Sequence, residues 1–269
     1  MTRVLIIGAS GFIGNALYKE LCAYVDTYGT YFTNKSFVNN QHFFNFDVER
    51  DSIEDIVSKL RPTIIVSAIR GNFEAQISMH QYLCDYVKSH HCKVIFLSSA
   101  NVFDAFTNYP SYEYDKTLSE SIYGRLKIKI ENMLMRLPQK KWSIVRLPMV
   151  FGVKSPRVKE LKLHLENNIA YEVFPNLVMN VISDYKLTQQ LHYIINRDLS
   201  GIYHLGSTDL VHHHDFIEEL VESLRLKKPI YKNVYTSNFD RFLAVLPKDH
   251  KLPKHLQCSY QDVLRHLVK

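Results

Sequence analysis

No apolar run in the 269 residues approaches the ~20 needed to cross a bilayer, so no membrane-spanning helix and no membrane partner are expected. No signal-peptide plan opens the chain. The short apolar run Val4-Leu5-Ile6-Ile7 leads straight into a glycine loop, and a cytoplasmic protein is expected. Cysteine is scarce: Cys22, Cys84, Cys92 and Cys258 form neither a CxxC pair nor a zinc spacing. Free thiols in a reducing compartment follow. There is no fixed-period repeat and no low-complexity linker. Positive charge is in excess, at +6, but it is scattered over short clusters such as Lys127/Lys129, Lys140-Lys141 and Lys227-Lys228. A nucleic-acid footprint gathers such charge on one face, so no nucleic acid is expected and a small anionic substrate uses the surplus. His212, His213 and His214 are adjacent and cannot all face one site on a helix. They read as a solvated helix start, and no metal site is expected.

What is present is an alternation. Apolar strands are expected over residues 3–8, 27–33, 42–46, 63–68, 93–98 and 142–147. Amphipathic helices are expected over 11–25, 52–60, 73–89 and 119–137. Strands alternating with helices imply a parallel sheet covered on both faces, and runs such as Val94-Ile95-Phe96-Leu97 fit burial on both sides. After Gly152 the pattern loosens, with helices expected over 159–166, 185–196, 215–224 and 260–268 and a strand over 201–205. The fold class expected is α/β, a Rossmann-type doubly wound parallel sheet with a small C-terminal substrate-binding region. Residues 1–152 would form the nucleotide-binding domain, 181–205 would return to it, and 153–180 with 206–269 would form the smaller region.

The first strand runs into Gly8-Ala9-Ser10-Gly11-Phe12-Ile13-Gly14. Glycines there permit a tight turn and close approach of backbone to a pyrophosphate, and the following helix offers its N–H groups. Gly8, Ser10, Gly11, Phe12, Ile13 and Gly14 are therefore candidate cofactor contacts. An NAD site often carries an acid ~20 residues further on, for the ribose. Here Thr33, Asn34 and Lys35 stand at that point, and they suit a 2′-phosphate. NADP(H) is favoured and NAD(H) stays open. Asp47, with Val48 beside it, sits where a carboxylate would receive the adenine amino group.

Tyr123 and Lys127 are four residues apart and share one helix face. An ammonium beside a phenol favours the phenolate, which fits the tyrosine to exchange a proton with an alcohol or ketone. Ser98 and Ser99 end the fifth strand, at the edge where open parallel sheets bind ligands. A serine hydroxyl there can hold a carbonyl oxygen as charge develops.

These motifs, in this order, resemble the extended short-chain dehydrogenase/reductases. The likeness is strongest to the dTDP-4-dehydrorhamnose reductases and their sugar-nucleotide relatives. The segment from Leu97 to Asp104 is similar to the family's I-S-T-D-Y-V-F-D, with Ser99 on its catalytic threonine. Tyr123, Lys127 and Glu131 match Y-G-x-x-K-x-x-x-E, and Gly201-Ile202-Tyr203-His204-Leu205 resembles a late G-x-Y-H-L strand. The resemblance implies a reductase of a nucleotide-linked 4-keto-6-deoxy sugar. Tyr123 would protonate the nascent alkoxide, Lys127 would bind nicotinamide-ribose hydroxyls, and Ser99 would polarise the ketone. It also implies cofactor contacts at Ala68, Ile69, Ser98 and Leu147. Ala100, Asn101 and Met149 replace an aspartate, a tyrosine and a tryptophan of the rhamnose reductases and would lie near the sugar. Arg70, in a loop that departs from the family, would touch a phosphate or carboxylate. A homodimer is compatible with this reading. A cofactor-binding regulatory subunit without catalysis, and an epimerase or dehydratase of the same superfamily, are equally compatible with the fold that the resemblance implies.

Overall fold

The computed structural model describes residues 2–268. Strand β1 (Arg3–Ile7), helix α1 (Phe12–Leu21), β2 (Asp26–Tyr31), β3 (Phe43–Asn45), α2 (Ile53–Leu60), β4 (Ile64–Ser67), α3 (Phe73–Ser89) and β5 (Lys93–Ser99) come first. Then follow α4 (Ile122–Met135), β6 (Trp142–Leu147), β7 (Met149–Phe151), α5 (Pro156–Glu166), β8 (Tyr171–Val173), β9 (Leu177–Met179) and β10 (Val181–Ser183). The chain ends with α6 (Asp184–Asn196), β11 (Gly201–His204), β12 (Val211–His212), α7 (His213–Ser223), β13 (Tyr231–Asn233), β14 (Arg241–Leu243) and α8 (Tyr260–Val268).

Seven strands form one parallel sheet in the order β11-β6-β5-β4-β1-β2-β3. The order reverses at β1, which pairs with β2 on one side and β4 on the other. That reversal is the topological switch point, where open α/β sheets bind ligands beyond the carboxyl ends of their strands. The sheet is the Rossmann arrangement expected from the alternation.

The chain divides into two compact units. The first comprises residues 1–98, 125–145 and 191–202. Its core joins Leu5 and Ile7 of β1, Ile65 of β4, Val94 and Phe96 of β5 and Leu83 of α3, all 1% exposed or less. Ser52 caps α2 by accepting the Glu54 N–H at 3.2 Å, and Arg61 closes it in the left-handed region at φ 49°. The second unit comprises residues 99–124, 146–190 and 203–269. Its strands are two or three residues long: β12-β9-β14 form one small sheet, β10-β7 and β13-β8 two pairs. Phe151, Val158, Met179, Phe216, Leu220 and Val263 form its apolar core. Ser155 caps α5, with Pro156 at the first helical position.

Some boundaries differ from the sequence reading. The helix expected over 11–25 stops at Leu21, and β2 begins at Asp26. The helix expected from 119 starts at Ile122, because the Ser119 hydroxyl bonds Ser121 and the Ser121 hydroxyl takes the Gly124 N–H at 3.0 Å. Helix α7 does begin in the histidine run, but His213 is buried rather than solvated. Its Nδ1 accepts the Phe174 N–H at 3.4 Å, and burial pulls it down to about 4, so it is neutral. All four cysteines are free thiols. Among the described residues no helix is long and apolar enough to cross a membrane, and no group of three or more His, Cys, Asp or Glu could hold a metal.

Candidate active site

In the first unit, the glycine loop lies at the carboxyl end of β1. Gly8 has φ +87°, and a Cβ there would meet the Ala68 carbonyl oxygen at 2.8 Å and Ile69 Cα at 3.0 Å. A Cβ on Gly14 would meet the Gly8 carbonyl oxygen and, at 2.9 Å, Ala9 Cα. Only bare backbone fits at either position. The Gly8 N–H is spent on Thr30 Oγ1 at 2.8 Å and the Ser10 N–H on the Thr30 carbonyl at 3.2 Å, which fixes the loop to β2. Helix α1 starts at Phe12 and Ile13 with neither a capping side chain nor an acid in its first turn. That leaves its amide end open to a phosphate, so the loop fits the pyrophosphate of a dinucleotide.

The neighbouring residues divide by role. Ala68 and Ile69 border the glycine loop, and Val48 borders Gly71 in the loop after β4. Thr33, Asn34 and Lys35 are exposed beyond β2. Asn34 Oδ1 is occupied in capping the short turn 35–37, where it accepts the Ser36 N–H at 3.1 Å. The Asp47 carboxylate is likewise engaged locally, by the Glu49 N–H at 3.0 Å and Arg50 at 3.6 Å. Ser98 is buried, and its hydroxyl donates to Glu131 Oε1 at 2.6 Å. It therefore serves a carboxylate inside this unit.

Lys127 is 5% exposed. Its Nζ donates to the Leu97 carbonyl at 3.1 Å and stands 4.6 Å over the Phe96 ring. Burial first, then the Arg70 guanidinium, pull the ammonium down to about 8, while Glu131 opposes the shift. It remains protonated at neutral pH. His80 is fully buried between Ser67 Oγ at 2.9 Å and the Gln76 carbonyl at 2.6 Å. Burial holds His80 near 4, hence neutral.

In the second unit, Ser99 ends β5 and caps the turn 100–103. Its Oγ accepts the Asn101 N–H at 3.2 Å and donates to Asn101 Oδ1 at 2.9 Å. A Cβ on Gly124 would collide with the Asn101 carbonyl oxygen and Ser119 Oγ, so the start of α4 packs directly on that turn. Tyr123, the residue before Gly124, is 39% exposed. Ala100 and Leu147 are buried, while Met149 is half-buried. The unit thus brings the Ser99–Asn101 turn against the opening of α4, and Lys127 follows Tyr123 on the same helix by one turn.

Motif reading gives no role to Arg146 and Glu113, and His204 stands only as a letter of the late G-x-Y-H-L strand. Arg146 is 2% exposed and stands 4.9 Å over the Phe103 ring. It donates to the Glu113 carbonyl at 2.8 Å and meets His204 Nε2 at 3.3 Å. His204 is neutral, held near 3 by burial and by Arg146, so Nε2 accepts and Nδ1 donates to the Leu246 carbonyl at 3.2 Å. An arginine inside an apolar strand and the histidine of the G-x-Y-H-L strand are the signals in the sequence that point here.

The RmlD substrate binding domain family matches residues 1–252. dTDP-4-dehydrorhamnose reductase of Aggregatibacter actinomycetemcomitans is 23% identical over 264 residues, covering 89% of this chain and 86% of that protein. The structure of dTDP-4-dehydrorhamnose reductase from Bacillus anthracis str. Ames, in complex with NADP, aligns at TM-score 0.77 and 18% identity over 99% of this chain and 98% of that one. UDP-glucose 4-epimerase of Thermus thermophilus, in complex with NAD, aligns at TM-score 0.81 and 17% identity, again over 99% and 98%. At such identities the structural likeness speaks for the fold. The extent of the family match decides membership: the chain belongs to the RmlD substrate binding domain family, within the extended short-chain dehydrogenase/reductases.

Proposed function

We propose that this protein is an NADPH-preferring reductase of a nucleotide-linked 4-keto-6-deoxy sugar. One observation carries the reading. An accessible tyrosine opens a helix that packs on the Ser99 turn, and a buried, charged lysine follows it by one turn. The 23% identity with a dTDP-4-dehydrorhamnose reductase supports the substrate class.

The glycine loop and the amide end of α1 would hold the pyrophosphate, and Lys35 with Thr33 would favour a 2′-phosphate in the absence of a ribose-binding acid. The NADP complex of the Bacillus anthracis reductase supports that preference. A bound nicotinamide supplies the hydride. The chain's own residues supply the rest. Ser99 Oγ donates to the ketone oxygen and stabilises the charge that develops there. Tyr123 gives its phenolic proton to the same oxygen as it becomes an alkoxide. The Lys127 ammonium favours the phenolate left behind and so lowers the cost of that transfer. Residues 153–180 and 206–269 would carry most of the sugar-nucleotide contacts.

The test is NADPH oxidation against a panel of nucleotide-linked keto sugars. The wild-type protein should oxidise NADPH with at least one. Tyr123→Phe should still bind NADPH while turnover falls about 10²- to 10⁴-fold. Unchanged turnover in that variant removes Tyr123 from the chemistry. Cofactor that stays bound through turnover, with no net consumption, points to an epimerase or dehydratase instead.

A further inference from the structure

A cavity lies wholly inside the second unit, lined by none of the residues given a role in the hydride and proton transfer above. It measures about 470 Å³ and is lined by Lys248 and Lys251 together with Thr208, Gln257, Tyr112 and Pro247. No carboxylate lines it. Residues 247–257 carry Lys248, Lys251 and Lys254 against Asp249 alone. Among the described residues neither Lys248 nor Lys251 has a carboxylate partner. Lys248 Nζ instead stands 5.3 Å over the Tyr112 ring.

The walls are fixed before any ligand arrives. Glu113 is fully buried, and its carboxylate is wrapped by three successive amides. These are the N–H of Lys248 at 3.0 Å, of Asp249 at 3.3 Å and of His250 at 3.3 Å. Successive amides converging on a carboxylate form an anion nest, which sets the backbone from which Lys248 projects. The His250 ring stacks on Tyr203 at 4.9 Å, and His204 holds the Leu246 carbonyl at 3.2 Å. On the other wall, Gln257 Nε2 donates to the Leu252 carbonyl at 2.7 Å and the Thr208 N–H donates to the Cys258 carbonyl at 2.9 Å. Gln190, 3% exposed, ties the same segment down by donating to the Leu256 carbonyl at 2.8 Å. Two unpaired ammonium groups on a rigid frame, with hydroxyl and amide groups beside them, suit an anion whose binding costs little reorganisation.

We propose that this cavity binds the phosphate or diphosphate group of a small molecule through Lys248 and Lys251. Two sources share that chemistry: the nucleotide half of the proposed substrate, or a separate phosphorylated metabolite. The probe is inorganic pyrophosphate, titrated calorimetrically into the full chain with NADPH saturating the glycine loop. The wild-type protein should bind it, and Lys248→Ala/Lys251→Ala should raise Kd about tenfold or more while NADPH affinity stays unchanged. Affinity for pyrophosphate that is equal in the two proteins overturns the proposal. The arginine pair, Lys248→Arg/Lys251→Arg, should recover most of the affinity, which a general loosening of the fold would not allow. Where the turnover assay has found a substrate, its KM in the alanine variant names the source. A parallel rise assigns the site to the substrate's own phosphates, and an unchanged KM assigns it to a separate ligand. The titration reads this site even if no keto sugar is reduced, so the two proposals fail separately.

Discussion

The two units hold themselves together by different means. In the first, apolar strands buried on both faces do most of the work: Leu5, Ile7, Ile65, Leu83, Val94 and Phe96 make one continuous cluster. Hydrophobic burial of that kind is large and non-directional. In the second, strands of two or three residues have too few ladder bonds to define themselves. Buried polar groups supply the specification: Glu113, Arg146, His204, and Asn180, whose side chain bonds the Ser207 and Val245 carbonyls and the Val245 N–H. Such contacts contribute modestly when made and cost heavily when half-made. The first unit is thus set chiefly by its apolar strands, while the second adds to its apolar core a set of loops held by buried hydrogen bonds.

That contrast can be tested by breaking each unit through the interaction it relies on. Leu83→Ala should cost about 2–5 kcal/mol through the cavity it leaves, read from urea unfolding. Glu113→Ala should cost on the order of 3 kcal/mol, because three amides of residues 248–250 lose their acceptor, whereas Glu113→Gln, which keeps an acceptor oxygen, should cost clearly less. Equal losses for the alanine and glutamine variants would mean that packing, not the nest, holds that loop. The adjacent serines sharpen the contrast. Ser98→Ala removes one hydrogen bond from the buried Glu131 carboxylate and should lower stability by about 1–3 kcal/mol with turnover per folded molecule nearly intact. Ser99→Ala should do the reverse, lowering turnover with little change in unfolding.

Acid reaches both units. His80 and His204 stand near 4 and near 3 when folded, against 6.5 when exposed. The unfolded chain takes up these protons first as pH falls. The stability each neutral ring supports is complete above pH 6.5 and is lost from there down to its folded value, at about 1.4 kcal/mol per pH unit. His80→Gln should flatten that acid limb by one such increment, measured by urea unfolding between neutral pH and the acid limb. The smallest effect is expected at Lys35, where Lys35→Ala should raise the KM for NADPH about tenfold and leave NADH untouched.

How much of this was legible beforehand follows from the same contrast. Period and run length reveal β1, β4 and β5 because a doubly covered strand must be apolar throughout. The glycine loop and the Tyr123–Lys127 spacing are local, so they can be read from adjacent positions. The strands β8, β9, β12, β13 and β14 were not legible, since two or three residues carry no period. Nor were the partners of Ser98 and Glu113, which lie 33 and more than 130 positions away along the chain. Asn101 stood out only as a substitution against the family pattern, yet it is the residue that engages Ser99.

That engagement shapes how a ketone would be received. The Ser99 proton is already committed to the Asn101 amide oxygen at 2.9 Å. A carbonyl arriving there would trade one neutral bond for another and gain almost nothing in affinity. As electron density shifts onto the oxygen, the traded bond becomes charge-assisted and roughly doubles in strength. Under the proposed function the benefit would thus be withheld from the resting complex and released at the summit of the barrier, where it would accelerate reduction instead of tightening a grip on the starting sugar.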